Sequence, residues 1–212
     1  MPPLCTYVAR VSDGLPLVAS FSPSSANLEE EKNQAKQILR KLTTGPTSRM
    51  SIDTGRNFCF HYVIRDNLCF LTLTETSYPK RLAFLYLEEV AHALWEELLN
   101  QNTQNPRAVI DSISRPYALI QYDTLLAKYQ RDFADPTTKQ NSSKLSQDLS
   151  DITSIMKQNI EQVLDRGEKL EHVSKISSNL VSESKKFTWG AKKLTWQARL
   201  NQYGPMVAIV VF

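Results

Sequence analysis

From residue 137 to residue 204 the chain has no proline, and its interior glycines there are Gly167 and Gly190. Such a stretch is either helical or disordered, because sheets and compact loops need more punctuation than this. The spacing of its apolar residues decides. Steps of alternately four and three residues from Leu145 land on Leu149, Ile152, Met156, Asn159, Val163, Arg166, Leu170, Val173, Ser177, Leu180, Ser184, Phe187, Ala191 and Leu194, and eleven of these fifteen positions are apolar. A 3.5-residue repeat sustained this long is a coiled-coil seam, about 75 Å long at 1.5 Å per residue. The other faces are largely Ser, Lys, Gln, Asp and Glu. The helix therefore has little with which to fold alone and needs partner helices.

Arg166 is the anomaly of the seam. Either the register slips and the side chain faces outward, or it forms a lone polar layer, where an unpaired guanidinium would cost several kcal/mol on burial. The apolar pattern continues in phase on both sides, the neighbours Asp165 and Gly167 are worse seam residues, and a single polar layer is a device for fixing register. These points favour the layer. Arginine has five donors and no acceptor, so its partners should present side-chain carbonyls or carboxylates at the same level, and glutamines would serve.

The region up to and including Pro136 holds nine of the ten prolines and reads as mixed strand and helix. Leu4 to Val11 and Leu15 to Phe21 flank Ser12-Asp13-Gly14, a hairpin signal. Asn27, with Glu30 three residues on, has the capping-box arrangement for a helix carrying Ala35, Ile38, Leu39 and Leu42. A weaker strand near Arg49 to Asp53 precedes a second hairpin, Phe58 to Ile64 and Leu68 to Thr74, joined through Arg65-Asp66-Asn67. Pro79 opens a long helix whose inward stripe is Leu87, Val90 or Ala91, Leu94 and Leu98. Leu119, Tyr122, Leu126 and Tyr129 give one more helical face. The order β, β, α, β, β, β, α, α predicts an α+β fold, an antiparallel sheet with helices packed over it.

Chemistry is sparse. His61, His92 and His172 have no spacing that suggests metal ligation or a nucleophile and base, and no Gly-rich phosphate loop occurs. Glu88-Glu89 and Glu96-Glu97 read as solvating charge on one helix. Neither catalytic residues, metal nor cofactor is expected, and no small-molecule substrate. Cys5, Cys59 and Cys69 read as core thiols in a reducing compartment. Arg10 and Asp13 interrupt any apolar N-terminal run, so no signal peptide is expected. The net charge of +3 is too small to argue for nucleic acid. Beyond residue 184, however, Lys185, Lys186, Lys192, Lys193 and Arg199 stand without a single acid, interleaved with Phe187, Trp189, Trp196 and Tyr203. This segment is either an exposed helix end or a juxtamembrane segment over anionic lipid, and the apolar tail Met206 to Phe212 favours the second. Seven apolar residues fall short of the roughly 20 that a spanning helix needs.

The tract Asn159-Ile160-Glu161-Gln162-Val163-Leu164-Asp165-Arg166-Gly167-Glu168-Lys169-Leu170 resembles an R-SNARE motif, the synaptobrevin-type helix of membrane fusion. The N-terminal region resembles a longin domain, a profilin-like fold with a five-stranded antiparallel sheet and helices on its faces. Ala9-Arg10-Val11-Ser12-Asp13-Gly14-Leu15-Pro16-Leu17, Tyr78-Pro79-Lys80-Arg81-Leu82-Ala83-Phe84 and Ser114-Arg115-Pro116-Tyr117 resemble the branch that works between endoplasmic reticulum and Golgi. The implied organisation is a longin domain over 1–127, a linker over 128–138, the R-SNARE motif over 139–196, a juxtamembrane segment over 197–205 containing Arg199, with Lys192, Lys193 and Trp196 just before it, and the start of an incomplete anchor over 206–212.

The resemblance implies that three Gln-type SNARE helices zip with this one into a four-helix bundle with Arg166 as its central layer, driving fusion in endoplasmic reticulum to Golgi traffic. It also implies that Asn159, Ile160 and Glu161 fold back onto the longin domain, giving a vesicle coat protein a closed form to recognise. The expected location is the cytosolic face of endoplasmic reticulum, transport vesicle and Golgi membranes, with lipid contact if a complete anchor exists. The alternatives are a soluble longin and coiled-coil regulator unable to fuse membranes, or a trafficking-complex subunit.

Overall fold

The computed structural model describes residues 3–23, 28–42, 47–100, 105–147 and 155–164, all within the compact unit Met1–Gly167. Its strands are β1 (Cys5–Arg10), β2 (Pro16–Phe21), β3 (Arg49–Asp53), β4 (Phe58–Arg65), β5 (Leu68–Glu75) and β6 (Lys157–Asn159). Its helices are α1 (Glu29–Lys41), α2 (Lys80–Asn100), α3 (Pro106–Ser112), α4 (Asp123–Asp132), α5 (Lys139–Gln147) and the single turn α6 (Ile160–Val163). The strands form one sheet in the order β2-β1-β5-β4-β3-β6. Neighbours are antiparallel except for β3 and β6, which run parallel.

Both faces of the sheet are covered, which is why its strands read as nearly continuous apolar runs. On one face Tyr7, Ala9, Phe60, Tyr62 and Leu71 pack in one core with Ala35, Ile38 and Leu39 of α1. On the other, Val8, Val63 and Phe70 share a core with Leu87, Val90 and Leu94 of α2 and Leu126 of α4. Several polar side chains trapped on this second side bond to one another: Thr6 Oγ1 lies 2.7 Å from Tyr86 Oη and 3.2 Å from Thr72 Oγ1, and Ser20 Oγ donates to Gln130 Oε1 at 2.9 Å. These bonds tie α2 and α4 to the sheet and offset the desolvation of the buried groups.

The turns follow their residues. Asp66 and Asn67 take φ of 52° and 64° between β4 and β5, a left-handed pair that matches the twist of a two-residue hairpin. Gly14, at φ 68°, sits where an added Cβ would lie 2.8 Å from Arg40 Cα and from the Leu39 carbonyl. The turn between β1 and β2 therefore rests directly on the backbone of α1. Within the same turn Arg10 is buried, donates to Asp13 Oδ1 at 3.0 Å, and reaches the carbonyls of Ile110, Asp111 and Ile113 at 2.7, 3.0 and 3.0 Å. It thereby closes the C-terminus of α3. The Tyr117 and Leu119 amides donate to the carbonyls of Pro16 and Leu17, covering the outer edge of β2.

Several expectations are corrected. The sheet has six strands, the sixth being supplied from the heptad tract. Helix α1 starts at Glu29 with Leu28 at its N-cap and no side-chain cap, so the Asn27 capping box is not the device used, and Asn27 itself lies outside the described residues. Helix α3 was not foreseen; of its seven residues only Ile110 is buried, too little for a periodic signal. Helix α4 runs through residue 127 and carries buried Gln130, with buried Phe133 just beyond, so the first part of the expected linker 128–138 belongs to the folded domain. Glu88 is no free charge: its oxygens accept from Arg49 at 2.6 Å and Arg65 at 2.8 Å, holding α2 to the strand pair β3 and β4.

Candidate docking site for the C-terminal segment

Segment 155–164 closes over the exposed edge of β3. Register pairs Ser51 with Lys157, Ile52 with Gln158 and Asp53 with Asn159, and the Ser51 amide donates to the Met156 carbonyl at 3.0 Å. Nothing in Lys157-Gln158-Asn159 favours a strand by itself. The conformation is imposed by what lies on either side. Ile155, 9% exposed, enters the core beneath α2, and Ile160, 7% exposed, enters the core beneath α1. The segment thus straddles the sheet edge with one isoleucine in each core, each burial being worth about 1.5–3 kcal/mol before the entropy of ordering is subtracted.

Asn159 makes the change of direction possible. Its Oδ1 accepts from the Glu161 amide at 3.2 Å, and its own amide donates to Gln162 Oε1 at 3.3 Å, a capping box that ends the strand and starts α6. Glu161 is exposed and supplies negative charge to that first turn. Val163 and Leu164 pack against the α1-side core.

Polar contacts fix the ends. Lys157 Nζ lies 2.7 Å from Asp53 Oδ2, and this pairing holds the Asp53 carboxyl below its usual range and raises the Lys157 amine. Lys80 Nζ donates to the Ile155 carbonyl at 2.8 Å, and partial burial lowers its amine. Behind them His61 is buried, with Nδ1 2.9 Å from Ser51 Oγ and Nε2 3.2 Å from Thr74 Oγ1. Burial first, then the charges of Lys80 and Lys157, push its imidazole down to about 3. The ring is neutral and serves as a hydrogen-bonding spacer across β3, β4 and β5. Among the described residues no group of three or more His, Cys, Asp or Glu is placed to hold a metal, and Cys5, Cys59 and Cys69 are buried free thiols.

The predicted site residues are distributed unevenly. Asn159, Ile160 and Glu161 come together on the β3 edge. Of the seam, Leu145 falls in α5, Met156 is 51% exposed, Asn159 is an N-cap and Val163 lies in α6, so the tract is not one continuous helix here. With no partner helices present, the edge of β3 and the two cores supply the better burial. Leu149, Ile152, Arg166, Leu170, Val173, Ser177, Leu180, Ser184, Phe187, Ala191 and Leu194 lie outside the described residues, as do Lys192, Lys193, Trp196 and Arg199. Sequence reasoning missed Ile155, Lys157, Lys80 and Asp53. A signal existed for the first: Ile155 and Ile160 are apolar yet sit just off the seam, beside Met156 and Asn159.

The family model for a regulated-SNARE-like (longin) domain matches residues 17–126, and that for synaptobrevin matches residues 141–212. The chain is 40% identical over 208 residues to protein transport protein sec22 of Schizosaccharomyces pombe, covering 97% of this chain and 93% of that one. The chain belongs to the Sec22 family of longin R-SNAREs. It is also 37% identical to protein transport protein SEC22 of Yarrowia lipolytica, over 97% of this chain and 93% of that one, and 37% identical to vesicle-trafficking protein SEC22b of Xenopus tropicalis, over 99% and 93%. Sec22-type chains are trafficking SNAREs and not enzymes. Because the likeness runs through both the longin and the synaptobrevin regions, a soluble regulator or a purely binding subunit is not favoured. Among the described residues no helix is long and apolar enough to cross a membrane.

Proposed function

We propose that this chain is the R-SNARE of endoplasmic reticulum to Golgi vesicle traffic, contributing one helix to a four-helix bundle whose assembly drives membrane fusion. The observation that carries the reading is the heptad tract centred on Arg166, which lies inside the stretch matching synaptobrevin. Zippering from Leu145 toward Leu194 buries apolar surface layer by layer at about 25 cal/mol per Å² and draws the basic end toward the partner membrane. Arg166 forms the central layer with glutamines from three Gln-type helices. Lys192, Lys193, Trp196 and Arg199 lie against the lipid surface on the cytosolic face of endoplasmic reticulum, vesicle and Golgi membranes.

The longin domain acts as a brake. Segment 155–164 on the edge of β3 is extended where a bundle needs helix, so Ile155 and Ile160 must leave their cores before the Met156 and Asn159 layers form. The closed arrangement around Asn159, Ile160 and Glu161 gives a vesicle coat protein a surface to recognise, and it exists only before assembly.

The test mixes the full chain with three Gln-bearing SNARE helices and follows helicity and thermal melting of the complex. A large gain in helicity is expected. Arg166→Ala leaves buried carbonyls unpaired, at about 1–3 kcal/mol each, and lowers the melt. Arg166→Gln keeps donor and acceptor capacity and is tolerated better. Arg166→Leu fills the layer and melts above the alanine variant but loses partner selectivity. Wild-type melting and selectivity in all three would make Arg166 a surface residue and overturn the reading.

A further inference from the structure

Helix α5 poses a question that its sequence does not answer. Lys139-Gln140-Asn141-Ser142-Ser143-Lys144-Leu145-Ser146-Gln147 contains an asparagine and three serines, residues that weaken a helix interior. A nine-residue segment of this kind has no reason to be helical alone, since forming the first turn carries a nucleation factor of roughly 10⁻³.

The cause is tertiary and is concentrated in Asn141, which is 1% exposed. Its Nδ2 donates to the carbonyl of Asp132 at 3.1 Å and to that of Asp135 at 2.8 Å, and its amide donates to Thr138 Oγ1 at 3.2 Å. Both carbonyls belong to the end of α4 and the bend after it. That end is itself fixed: Tyr78 Oη donates to the Phe133 carbonyl at 2.7 Å, and Asp135 Oδ1 accepts from the Thr137 amide at 2.8 Å. One amide group thus bonds two carbonyls, that of Asp135 being shared with the Thr138 amide at 3.4 Å, and ties the first turn of α5 to the domain. α5 also runs against α2. The likeness to synaptobrevin begins at residue 141. Asn141 therefore stands at the seam between the two modules, four residues before Leu145.

We propose that Asn141 is a positioning residue for SNARE assembly: it holds the first turn of the heptad-bearing helix in helical form on the longin domain, so that partner helices meet a nucleated start. This rests on the R-SNARE reading given above. Its anchor, made of Asn141, Asp132, Asp135 and Thr138, shares no residue with the dock made of Asp53, Lys80, Ile155, Lys157 and Ile160. Releasing the brake therefore leaves α5 in place, and zippering starts from a fixed end toward a segment that has just been freed.

The test uses the full chain. Amide hydrogen exchange is measured on wild type, Asn141→Ala, Asn141→Asp, Thr138→Ala and Ile160→Asp. The Ile160→Asp chain should lose protection at 157–159 and keep it at 141–147. Both Asn141 variants should lose about tenfold in protection at 141–147 and keep it at 157–159, with Thr138→Ala intermediate. Association with a premixed set of three Gln-bearing helices should then be about tenfold slower for Asn141→Ala, although alanine is the better helix former. The melt of the finished complex should stay at the wild-type value, because Asn141 is off the seam. Unchanged protection at 141–147, or lost protection with an unchanged association rate, overturns the role of Asn141. A wild-type chain that does not assemble with these helices overturns instead the R-SNARE reading on which that role depends.

Discussion

Two isoleucines and a lysine hold segment 155–164 on the edge of β3, and they do so unequally. Lys157 and Asp53 keep 54% and 30% of their side-chain surfaces exposed, so their pair is worth about 0.2–1 kcal/mol, whereas trimming a buried isoleucine to alanine costs about 2–5 kcal/mol. Lys157→Ala should therefore raise exchange at 157–159 only a few-fold, and Ile160→Ala well over tenfold; equal effects would mean that the ion pair dominates the dock. His61 behaves differently. Its imidazole is held near 3 in the fold against 6.5 when free, so its contribution to stability is complete above about pH 6.5 and is lost as pH falls toward 3. Carboxylates titrate mostly below that upper window. Between pH 6.5 and 5 the unfolding free energy should fall, with a limiting slope of about 1.4 kcal/mol per pH unit, the melting temperature falling with it, and His61→Gln should flatten that limb. A parallel decline in both proteins would place the acid sensitivity elsewhere.

Elements were legible where burial repeats. The strands β1, β2, β4 and β5 and helices α1 and α2 carry clear apolar patterns, β3 a weaker one, and their existence and order could be read directly. Helix α3 could not, because one buried residue, Ile110, makes no pattern, and the helix is held by Arg10 from a strand about a hundred residues away. β6 was invisible for a related reason: Lys157-Gln158-Asn159 is a strand only because β3 offers an edge and the flanking isoleucines find two cores. Asn159, Ile160 and Glu161 could be named from the motif they resemble, while Lys80 and Asp53 became part of the site only through the fold. Two glycines test the turn chemistry. Gly14 and Gly55 both have positive φ, at 68° and 72°, but only Gly14 faces backbone, that of Leu39 and Arg40. Gly55→Ala should cost about 1 kcal/mol from the strained backbone alone. Gly14→Ala should cost about 3 kcal/mol or more, since α1 must also shift. Chemical denaturation of the two variants gives the comparison, and equal losses would show that α1 yields freely.

At the scale of the molecule, the segment proposed to brake assembly is also the last strand of the sheet. Docking adds its free energy to the stability of the domain, because the segment binds the folded longin region and has no comparable site on an unfolded one. The relation runs in both directions. When partner helices take 155–164 into a bundle, the edge of β3 loses its cover, Ile155 and Ile160 vacate two cores, and the longin domain that remains is weaker than it was. In calorimetry the domain should melt at a lower temperature within an assembled complex than in the free chain, and Ile160→Asp should give the free chain the lower value without any partner; an unchanged transition would mean that the dock contributes no stability. A chain that has entered a bundle is thereby marked by its own fold: its longin head is softer than the head of an unused chain, so heat or a protease should open the head of a spent molecule sooner.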